Sequence, residues 1–454
     1  MQVLNEWTLQ SAAQVLGCEA PANDAKFSGV STDTRTIKPG DLFFAITGEN
    51  FDGHEYVGKA AEQGAVAAVV SRETVVSIPQ LKVDDTRIAL GALAAAHRKK
   101  FKKPVIGLTG SNGKTTVKEL LSAILARCGK VLATAGNFNN DIGLPHTLFR
   151  LQLDEDFAVL EMGANHPGEI AYLSAIASPD VAILNNAGAA HLEGFGSLQG
   201  VAKAKGEIFE NLSSKAVAVI NRDDDFADYW LGITRHCKRI GFGIENTTAE
   251  VRASDLLHSN EGVAFRLHIA QQSLEVNLAL FGRHNVMNAL AAAAAAHVLG
   301  VSIEDIRTAL NSFQAVKGRL KAMTAENGCM VFDDTYNANP NSLYAGIDVL
   351  VALPGTHVLV MGDMLEVGKD TATVHFQAGE YAKQQGVDRL FAYGPQSVQA
   401  VKAFGDRAQH FATHDDLAKA LKEILDADVK VLVKGSRGMQ MEKIVNSLKS
   451  ASEV

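Results

Sequence analysis

The segment from Gly110 to Thr116, Gly-Ser-Asn-Gly-Lys-Thr-Thr, has residue types and spacing that could bind a polyphosphate. It follows the apolar run Val105–Thr109 and precedes a helical pattern that starts at Val117. The backbone N–H groups of such a turn, together with a helix N-terminus, attract phosphate oxygens. Lys114 could reach the β- and γ-phosphates, and the Thr115 hydroxyl could ligate Mg²⁺. The segment therefore predicts a phosphate-binding loop formed by Gly110, Ser111, Asn112, Gly113, Lys114, Thr115 and Thr116.

Three other interpretations of this segment are less consistent with the sequence than an ATP-binding loop. A chance Gly-Lys-Thr at a strand–turn–helix corner is the simplest, but strand, turn and helix all occur in the expected order. A dinucleotide-binding fold would need G-x-G-x-x-G and a carboxylate after the next strand, whereas the run Val131–Thr134 ends without one. A guanine reader of the Asn-Lys-x-Asp type is absent, because no Asn precedes a Lys anywhere in the chain. ATP is the favoured nucleotide.

Two further candidate residues follow predicted strands, where ligands of parallel sheets bind. Glu161 comes directly after Phe157–Leu160 and could hold Mg²⁺ directly or through water, although it could instead stabilise a helix N-terminus. His191 lies in a loop of small residues after Val181–Leu184. It is either a metal ligand, which would be unusual for Mg²⁺ because Mg²⁺ prefers oxygen but would suit Mn²⁺, or a structural hydrogen-bonding residue.

Other polar residues are ambiguous when each is considered alone. Lys205 is predicted at the start of a helix, where most lysines are solvated. Asn137 and Asn139 lie in one loop whose amides suit a polar ligand, although the same composition forms ordinary turns.

In the last third of the chain, two groups of polar residues follow the runs Met330–Asp333 and Val431–Val433. The first group suits ribose or metal binding and comprises Asp334, Tyr336, Asn337 and Asn339. The second suits a carboxylate or phosphate and comprises Lys434, Ser436 and Arg437. Because this region has no phosphate loop of its own, we expect it to form a second half-site that closes on the first.

Composition limits the class of protein. The net charge of −8 argues against a nucleic-acid-binding protein. The four cysteines are scattered, which indicates a reducing compartment and neither a disulfide framework nor a zinc site. The N-terminus does not resemble a signal peptide, and the alanine-rich run Ala289–Ala296 is too short to span a membrane. We expect a cytoplasmic monomer without a membrane span.

The order of apolar runs predicts three α/β domains. Short continuous runs that alternate with helical segments are typical of parallel strands covered on both faces. We predict a small α/β domain over residues 1–83 and a central doubly wound parallel sheet with the phosphate loop over residues 84–313. A Rossmann-like α/β domain is predicted over residues 314–454. Around residues 262–280 the pattern becomes more antiparallel.

Taken together, these motifs resemble the Mur ligase family, the ATP-dependent amide-forming enzymes of peptidoglycan precursor synthesis. The resemblance spans nearly the whole chain, and it rests on seven segments: residues 109–116, 161–170, 186–191, 282–288, 317–320, 333–340 and 434–439. Residues 161–170, 336–340 and 435–439 are most similar to the branch that joins D-alanyl-D-alanine to UDP-N-acetylmuramoyl-tripeptide. The tripeptide Asp-Asn-Pro, usual in the branch that adds the third residue, is absent.

The resemblance implies roles for individual residues. Lys114 and Thr115 would bind the ATP phosphates and Mg²⁺. Glu161 and His191 would hold a second metal ion. Lys205 would be carbamylated, and the resulting anion would interact with that metal ion. Asn285 would face the adenine, Arg319 the phosphates and Asp334 the ribose. The uridine diphosphate end of the substrate would be held by residues of the first domain, namely Ser31, Asp33, Arg35, Asp52 and His54. The incoming dipeptide is assigned to the third domain.

The resemblance also implies a reaction through an acyl phosphate, in which phosphoryl transfer depends on positioning and charge neutralisation. Two alternatives remain at this stage. The chain could be a nucleotide-dependent switch or scaffold, or a Mur ligase for a different incoming amine. The sequence does not distinguish a tripeptide that ends in diaminopimelate from one that ends in lysine.

Overall fold

Three β-sheets organise the chain. The computed structural model describes residues 7–48, 50–189, 192–325 and 327–449, and within these ranges the strands form sheets of four, nine and six strands. The sheets follow one another along the sequence, in agreement with the predicted three-domain α/β architecture. The domain boundaries themselves remain a prediction.

The first sheet is small and parallel, with the strand order β1-β2-β3-β4. Its two central strands are fully buried, which explains their continuous apolar sequence. The elements of this unit are α1 (Leu9–Leu16), β1 (Gly29–Ser31), β2 (Asp41–Phe44), a 3₁₀ turn (Gly53–Tyr56), α2 (Val57–Glu62), β3 (Ala67–Val70) and β4 (Gln80–Lys82).

The central sheet contains the phosphate loop. Its first half comprises α3 (Thr86–Lys100), β5 (Val105–Thr109), α4 (Lys114–Leu125), β6 (Val131–Ala133), α5 (Gly143–Phe149), β7 (Phe157–Glu161), α6 (Glu169–Ala177) and β8 (Val181–Leu184). Its second half comprises α7 (Leu192–Phe195), α8 (Leu198–Gly206), a 3₁₀ turn (Glu207–Phe209), β9 (Val217–Asn221), α9 (Ala227–Ile233), β10 (Lys238–Gly243), β11 (Val251–Ser259), β12 (Gly262–Ile269), β13 (Gln272–Leu278), α10 (Arg283–Val298) and α11 (Ile303–Ser312).

The strand order in this sheet is β13-β12-β11-β10-β9-β8-β5-β7-β6. From β11 to β6 all neighbours are parallel, and β12 and β13 join antiparallel at one edge. The doubly wound parallel sheet and the antiparallel extension are therefore confirmed. Because the chain leaves β5 toward one side and later returns to the other side, the carboxyl ends of β5, β7 and β8 meet at a crevice.

Helices α4 and α10 cover one face of the central sheet and share its core. In α4 the buried apolar residues are Val117, Leu120, Leu121, Ile124 and Leu125, the spacing of one apolar helical face. In α10 every residue from Ala289 to Ala296 is buried. Small side chains let that helix approach its neighbours closely, so the alanine-rich run is a packed helix as predicted.

The third sheet has the order β14-β15-β19-β16-β17-β18, parallel except for β14. Its elements are β14 (Lys321–Thr324), β15 (Met330–Asp334), α12 (Pro340–Val351), β16 (Thr356–Gly362), a 3₁₀ turn (Gly368–Asp370), α13 (Thr371–Gln384), β17 (Arg389–Tyr393), α14 (Val398–Phe404), β18 (Ala408–Phe411), α15 (His414–Lys422), β19 (Val429–Lys434), a 3₁₀ turn (Arg437–Met439) and α16 (Glu442–Ser447). Within the described ranges, every helix is too short or too polar to cross a lipid bilayer.

Candidate active site

The phosphate loop lies between β5 and α4. Helix α4 begins at Lys114, three residues before the predicted start, so that Lys114, Thr115 and Thr116 form its first turn. Gly113 precedes it at φ 79°, a conformation that favours glycine. The Lys114 ammonium donates to the Gly110 carbonyl at 2.8 Å. Its pKa is lowered by burial, while nearby Glu161 acts in the opposite direction.

Gly113 is tightly enclosed, which gives a prediction for Gly113→Ala. A Cβ at this position would lie 2.3 Å from Asn288 Oδ1 and 2.6 Å from Asn185 Nδ2, in addition to the strain of the positive φ. We expect a loss of about 2–4 kcal/mol in the free energy of unfolding, measured by urea denaturation. Gly136→Ala is the matched control, because Gly136 also has a positive φ, 53°, but nothing lies within 4 Å of its Cβ position. Equal losses in the two variants would contradict the steric argument.

Two asparagine side chains that follow β8 form hydrogen bonds to the backbone of the phosphate loop. The Asn112 N–H donates to Asn186 Oδ1 at 2.9 Å, and Asn185 Nδ2 donates to the Asn112 carbonyl at the same distance. Asn185 Nδ2 also donates to Asn288 on α10, and Asn288 in turn donates to Asn285. This network fixes the loop backbone before any ligand binds.

Glu161 ends β7, beside the phosphate loop, because the register pairs it with Leu108 of β5. The residue is buried, and its two carboxylate oxygens accept from different groups. Thr115 Oγ1 donates to one oxygen at 3.1 Å, and Asn139 Nδ2 donates to the other at 2.8 Å. A hydroxyl and a carboxylate at this spacing are hard oxygen donors, which fit Mg²⁺.

Lys205 contradicts one prediction. It lies in the last turn of α8 and does not open a helix, because Ser197 caps the helix start by accepting from Gly200. The side chain is buried, and its ammonium donates to the Ala164 carbonyl at 3.3 Å, just beyond Glu161. Burial first, and then the Lys114 charge, lower its pKa to about 7. The solvated-surface alternative is therefore wrong.

The third sheet presents an ion pair and a stacked cation. The register sets Asp334 at the end of β15 opposite Lys434 at the end of β19, and the two side chains form a buried salt bridge. The Arg319 guanidinium stacks over the Tyr336 ring at 3.9 Å, and its Nη2 lies 3.4 Å from Thr115 Oγ1. Arg319 Nε is buried without a hydrogen-bond partner in the described structure. The Nη2 contact places the Arg319 guanidinium beside the phosphate loop.

A cavity of about 910 Å³ lies between the central and third sheets. Most predicted site residues line it: Ser111, Asn112, Gly113, Lys114, Thr115, Thr116, Asn137, Asn139, Glu161, Asn285, Arg319, Asp334, Tyr336, Asn337, Asn339 and Lys434. Lys205, Ser436 and Arg437 are not part of this lining. Ser436 is buried and accepts from Leu365 N, whereas Arg437 is exposed. The prediction for His191 lies outside the described residues.

The candidate residues of the first sheet lie apart from this cavity lining. Asp33 and Arg35 form an exposed ion pair, and Ser31 Oγ donates to the Asp33 carbonyl. His54 is buried, donates from Nδ1 to Asp52 and accepts from the Ser71 N–H at Nε2. The His54 N–H and imidazole hold the pKa of the Asp52 carboxyl at about 2. These contacts stabilise loops, and substrate binding by the five residues remains a prediction.

Several cavity residues were not singled out from the sequence. Asn288 follows Asn285 by three positions on one helix, so the i, i+3 spacing could have revealed it. Asn186 lies two positions after the predicted strand Val181–Leu184 and could have been found by the strand-end rule. The opposite wall of the cavity includes Asp85, Arg87, Asp141 and Tyr172, which belong to none of the seven segments, and Glu169, which lies in residues 161–170 but was given no role.

The donor groups can be compared with what a magnesium nucleotide needs. Within the described ranges, no group of three or more His, Cys, Asp or Glu side chains could hold a metal ion. Mg²⁺ usually takes one or two protein ligands, with phosphates and waters supplying the rest. Thr115 and Glu161 meet that requirement, and Lys114, Arg319 and the helix N-terminus supply positive charge for phosphates. The residues fit a magnesium nucleotide.

Three Mur ligase family models match successive parts of the chain. Residues 108–296 match the Mur ligase middle domain, residues 318–437 match the Mur ligase glutamate ligase domain, and residues 26–98 match the catalytic domain of the Mur ligase family. Each matched range corresponds to one of the three sheets.

Individual relatives cover nearly the whole chain. The UDP-N-acetylmuramoyl-tripeptide–D-alanyl-D-alanine ligase of Escherichia coli K12 is 43% identical over 97% of this chain and 98% of its own length. The ligase of the same name from Bacillus subtilis 168 is 38% identical over 92% and 93%. A crystal structure of MurF from Acinetobacter baumannii superposes with a TM-score of 0.90 at 36% identity, covering 97% and 98%. MurF from Thermotoga maritima in complex with ADP gives a TM-score of 0.84 at 29% identity, covering 92% and 96%.

Proposed function

Because the chain belongs to the Mur ligase family, we propose that it is an ATP-dependent ligase that joins D-alanyl-D-alanine to UDP-N-acetylmuramoyl-tripeptide in peptidoglycan precursor synthesis. One observation carries the proposal: the phosphate loop and the Asp334–Lys434 end of the third sheet face the same 910 Å³ cavity. That space suits a nucleotide beside two further reactants. We further propose a monomeric, cytoplasmic enzyme.

The first step is phosphoryl transfer. A carboxylate oxygen of the tripeptide attacks the γ-phosphorus of ATP, the bond from that phosphorus to the bridging oxygen breaks, and ADP leaves. In this proposal Lys114 and Arg319 stabilise charge that develops on the γ-phosphate oxygens. Bound Mg²⁺, held by Thr115 and Glu161, would neutralise phosphate charge. The lowered pKa of Lys114 reflects burial, and an incoming polyphosphate would favour its charged form.

The second step forms the amide. The amine of D-alanyl-D-alanine attacks the acyl carbon, the carbon–oxygen bond to phosphate breaks, phosphate leaves, and the nitrogen loses a proton to solvent. The third sheet would present the dipeptide, since Tyr336, Asn337 and Lys434 line the cavity opposite the phosphate loop. Asn285 would face the adenine and Asp334 the ribose.

Lys205 is proposed to act as a carbamate. A neutral amine adds to CO₂ and loses a proton, which converts the side chain into an anion. Its pKa of about 7 supplies the neutral amine near neutral pH, and its burial shields the product from water. Its neighbour Ala164 lines the cavity, so a carbamate could orient toward the metal held at Glu161. His191 is proposed as a further ligand.

The identity of the incoming amine is a testable prediction. We expect D-alanyl-D-alanine to support phosphate release in the presence of ATP and the UDP-linked tripeptide, at least about tenfold faster than diaminopimelate or D-glutamate. A coupled phosphate-release assay with each amine measures this. Faster reaction with another amine would overturn the substrate assignment and leave the family assignment intact. ATP turnover that needs neither peptide substrate would instead indicate a nucleotide-dependent switch.

A further inference from the structure

One side-chain contact joins the phosphate loop directly to the third sheet. Asn339 Nδ2 donates to Asn112 Oδ1 at 2.8 Å, although the two residues are 227 positions apart. Asn112 lies two positions before Lys114, inside the loop, and Asn339 lies at the start of α12. The contact can form only when the two sheets are close together.

The other end of the Asn339 amide is fixed within its own domain. Its Oδ1 accepts from the Ser342 N–H at 2.9 Å as the N-cap of α12, and Ser342 Oγ accepts from the Asn339 N–H at 3.1 Å. The capping box requires the amide oxygen of Asn339 to face the helix. The amide nitrogen of Asn339 is therefore the atom that faces Asn112. The donor is held in place before the sheets meet.

Asn112 likewise makes contacts to two domains, one through its backbone and one through its side chain. Its backbone is held by Asn185 and Asn186 of the central sheet, through contacts at both the N–H and the carbonyl. Its side-chain oxygen is held by the third sheet through Asn339. Loss of the Asn339 contact would therefore leave the Asn112 backbone held and free only its side chain, in a residue that lines the cavity.

We propose that Asn339 is a positioning residue that couples approach of the third sheet to the orientation of the Asn112 side chain in the phosphate loop, and not a contact to the dipeptide as the sequence suggested. The inference rests on the proposed function for the reaction that it serves. The Asn112 side chain takes its final orientation in the phosphate loop when the third sheet, with the second substrate, lies against it. Phosphoryl transfer is thereby favoured in the assembled complex.

Asn339→Ser is the variant of choice, because serine retains the N-cap and loses the amide donor. We expect kcat to fall about fivefold and the Kd of a non-hydrolysable ATP analogue to rise about fivefold, the size of one net hydrogen bond, with an unchanged KM for D-alanyl-D-alanine. Asn112→Ala should give the same pattern. The double variant should be no weaker than either single variant, because both remove one contact.

Thr413→Ala is the matched control. Thr413 caps α15 in the same domain by accepting from Asp416 N, and it lies outside the cavity lining, so its loss removes a cap without touching the phosphate loop. We expect unchanged nucleotide binding in this variant. Multiplicative effects of the two asparagine substitutions on the analogue Kd would overturn the coupling. A raised KM for the dipeptide with unchanged nucleotide binding would return Asn339 to the substrate site. Analogue binding needs no peptide substrate, so failure of the proposed reaction would be seen separately.

Discussion

Lys114→Ala is expected to abolish nearly all phosphate release while leaving the protein folded. Lys114 is the first residue of α4, directly after the glycine-rich turn, and its ammonium donates to the Gly110 carbonyl and interacts electrostatically with Glu161. Removing one preorganised charge contact to a transferring group costs on the order of a hundredfold or more in rate. A coupled phosphate-release assay under saturating substrates measures the effect.

The structural consequence of the same substitution should be small. The ammonium is partly buried and donates to the Gly110 and Ser111 carbonyls of its own loop. Thermal unfolding should therefore remain within a few degrees of wild type. Lys103→Ala, which removes a surface lysine paired with Asp156, is the control for general effects of charge removal. Activity of Lys114→Ala within about threefold of wild type, or ~0.7 kcal/mol, would exclude this site as the phosphate-binding centre.

The sequence predicts the central sheet closely because burial on both faces leaves a clear pattern. The predicted runs Val105–Thr109 and Val181–Leu184 coincide with β5 and β8, whose residues are all buried. The strand-end rule then locates Glu161 beside the phosphate loop, since polar residues at the carboxyl ends of neighbouring parallel strands must meet. The local sequence pattern and the sheet topology therefore give the same location for Glu161.

The position of Lys205 could not be predicted in the same way. Helix α8 is built largely of Ala, Gly and Lys, which gives little apolar periodicity, and its start is marked only by Ser197. Lys205 is buried by the Ala164 segment, which is distant in sequence, and by the Phe195 ring of the preceding helix, whose centre lies 5.3 Å from its ammonium. The Asn112–Asn339 contact was inaccessible for the same reason, because it depends on how two separately folded sheets lie together.

The second large effect is expected at Lys205. Lys205→Ala should lose most of the activity, about a hundredfold, because the variant cannot form the proposed carbamate, the anion expected to interact with the metal ion. Acetate should restore part of the rate by occupying the vacated space, as measured by phosphate release across a range of acetate concentrations. Because the pKa is about 7, the neutral amine that reacts with CO₂ becomes scarce at lower pH. Wild-type activity should therefore fall as the pH decreases below 7, and added bicarbonate should recover part of it.

Lys205→Arg separates the carbamate from a plain cation. Arginine keeps the positive charge near Phe195 and Ala164 but does not form the carbamate at neutral pH, because its guanidinium remains protonated. We expect the arginine variant to be no more active than the alanine variant. Lys203→Ala, two residues earlier on the same helix and exposed, is the control for loss of a cation from α8. Near-wild-type turnover in Lys205→Arg would show that a cation suffices, and Lys205 would then act through its charge on neighbouring phosphate oxygens.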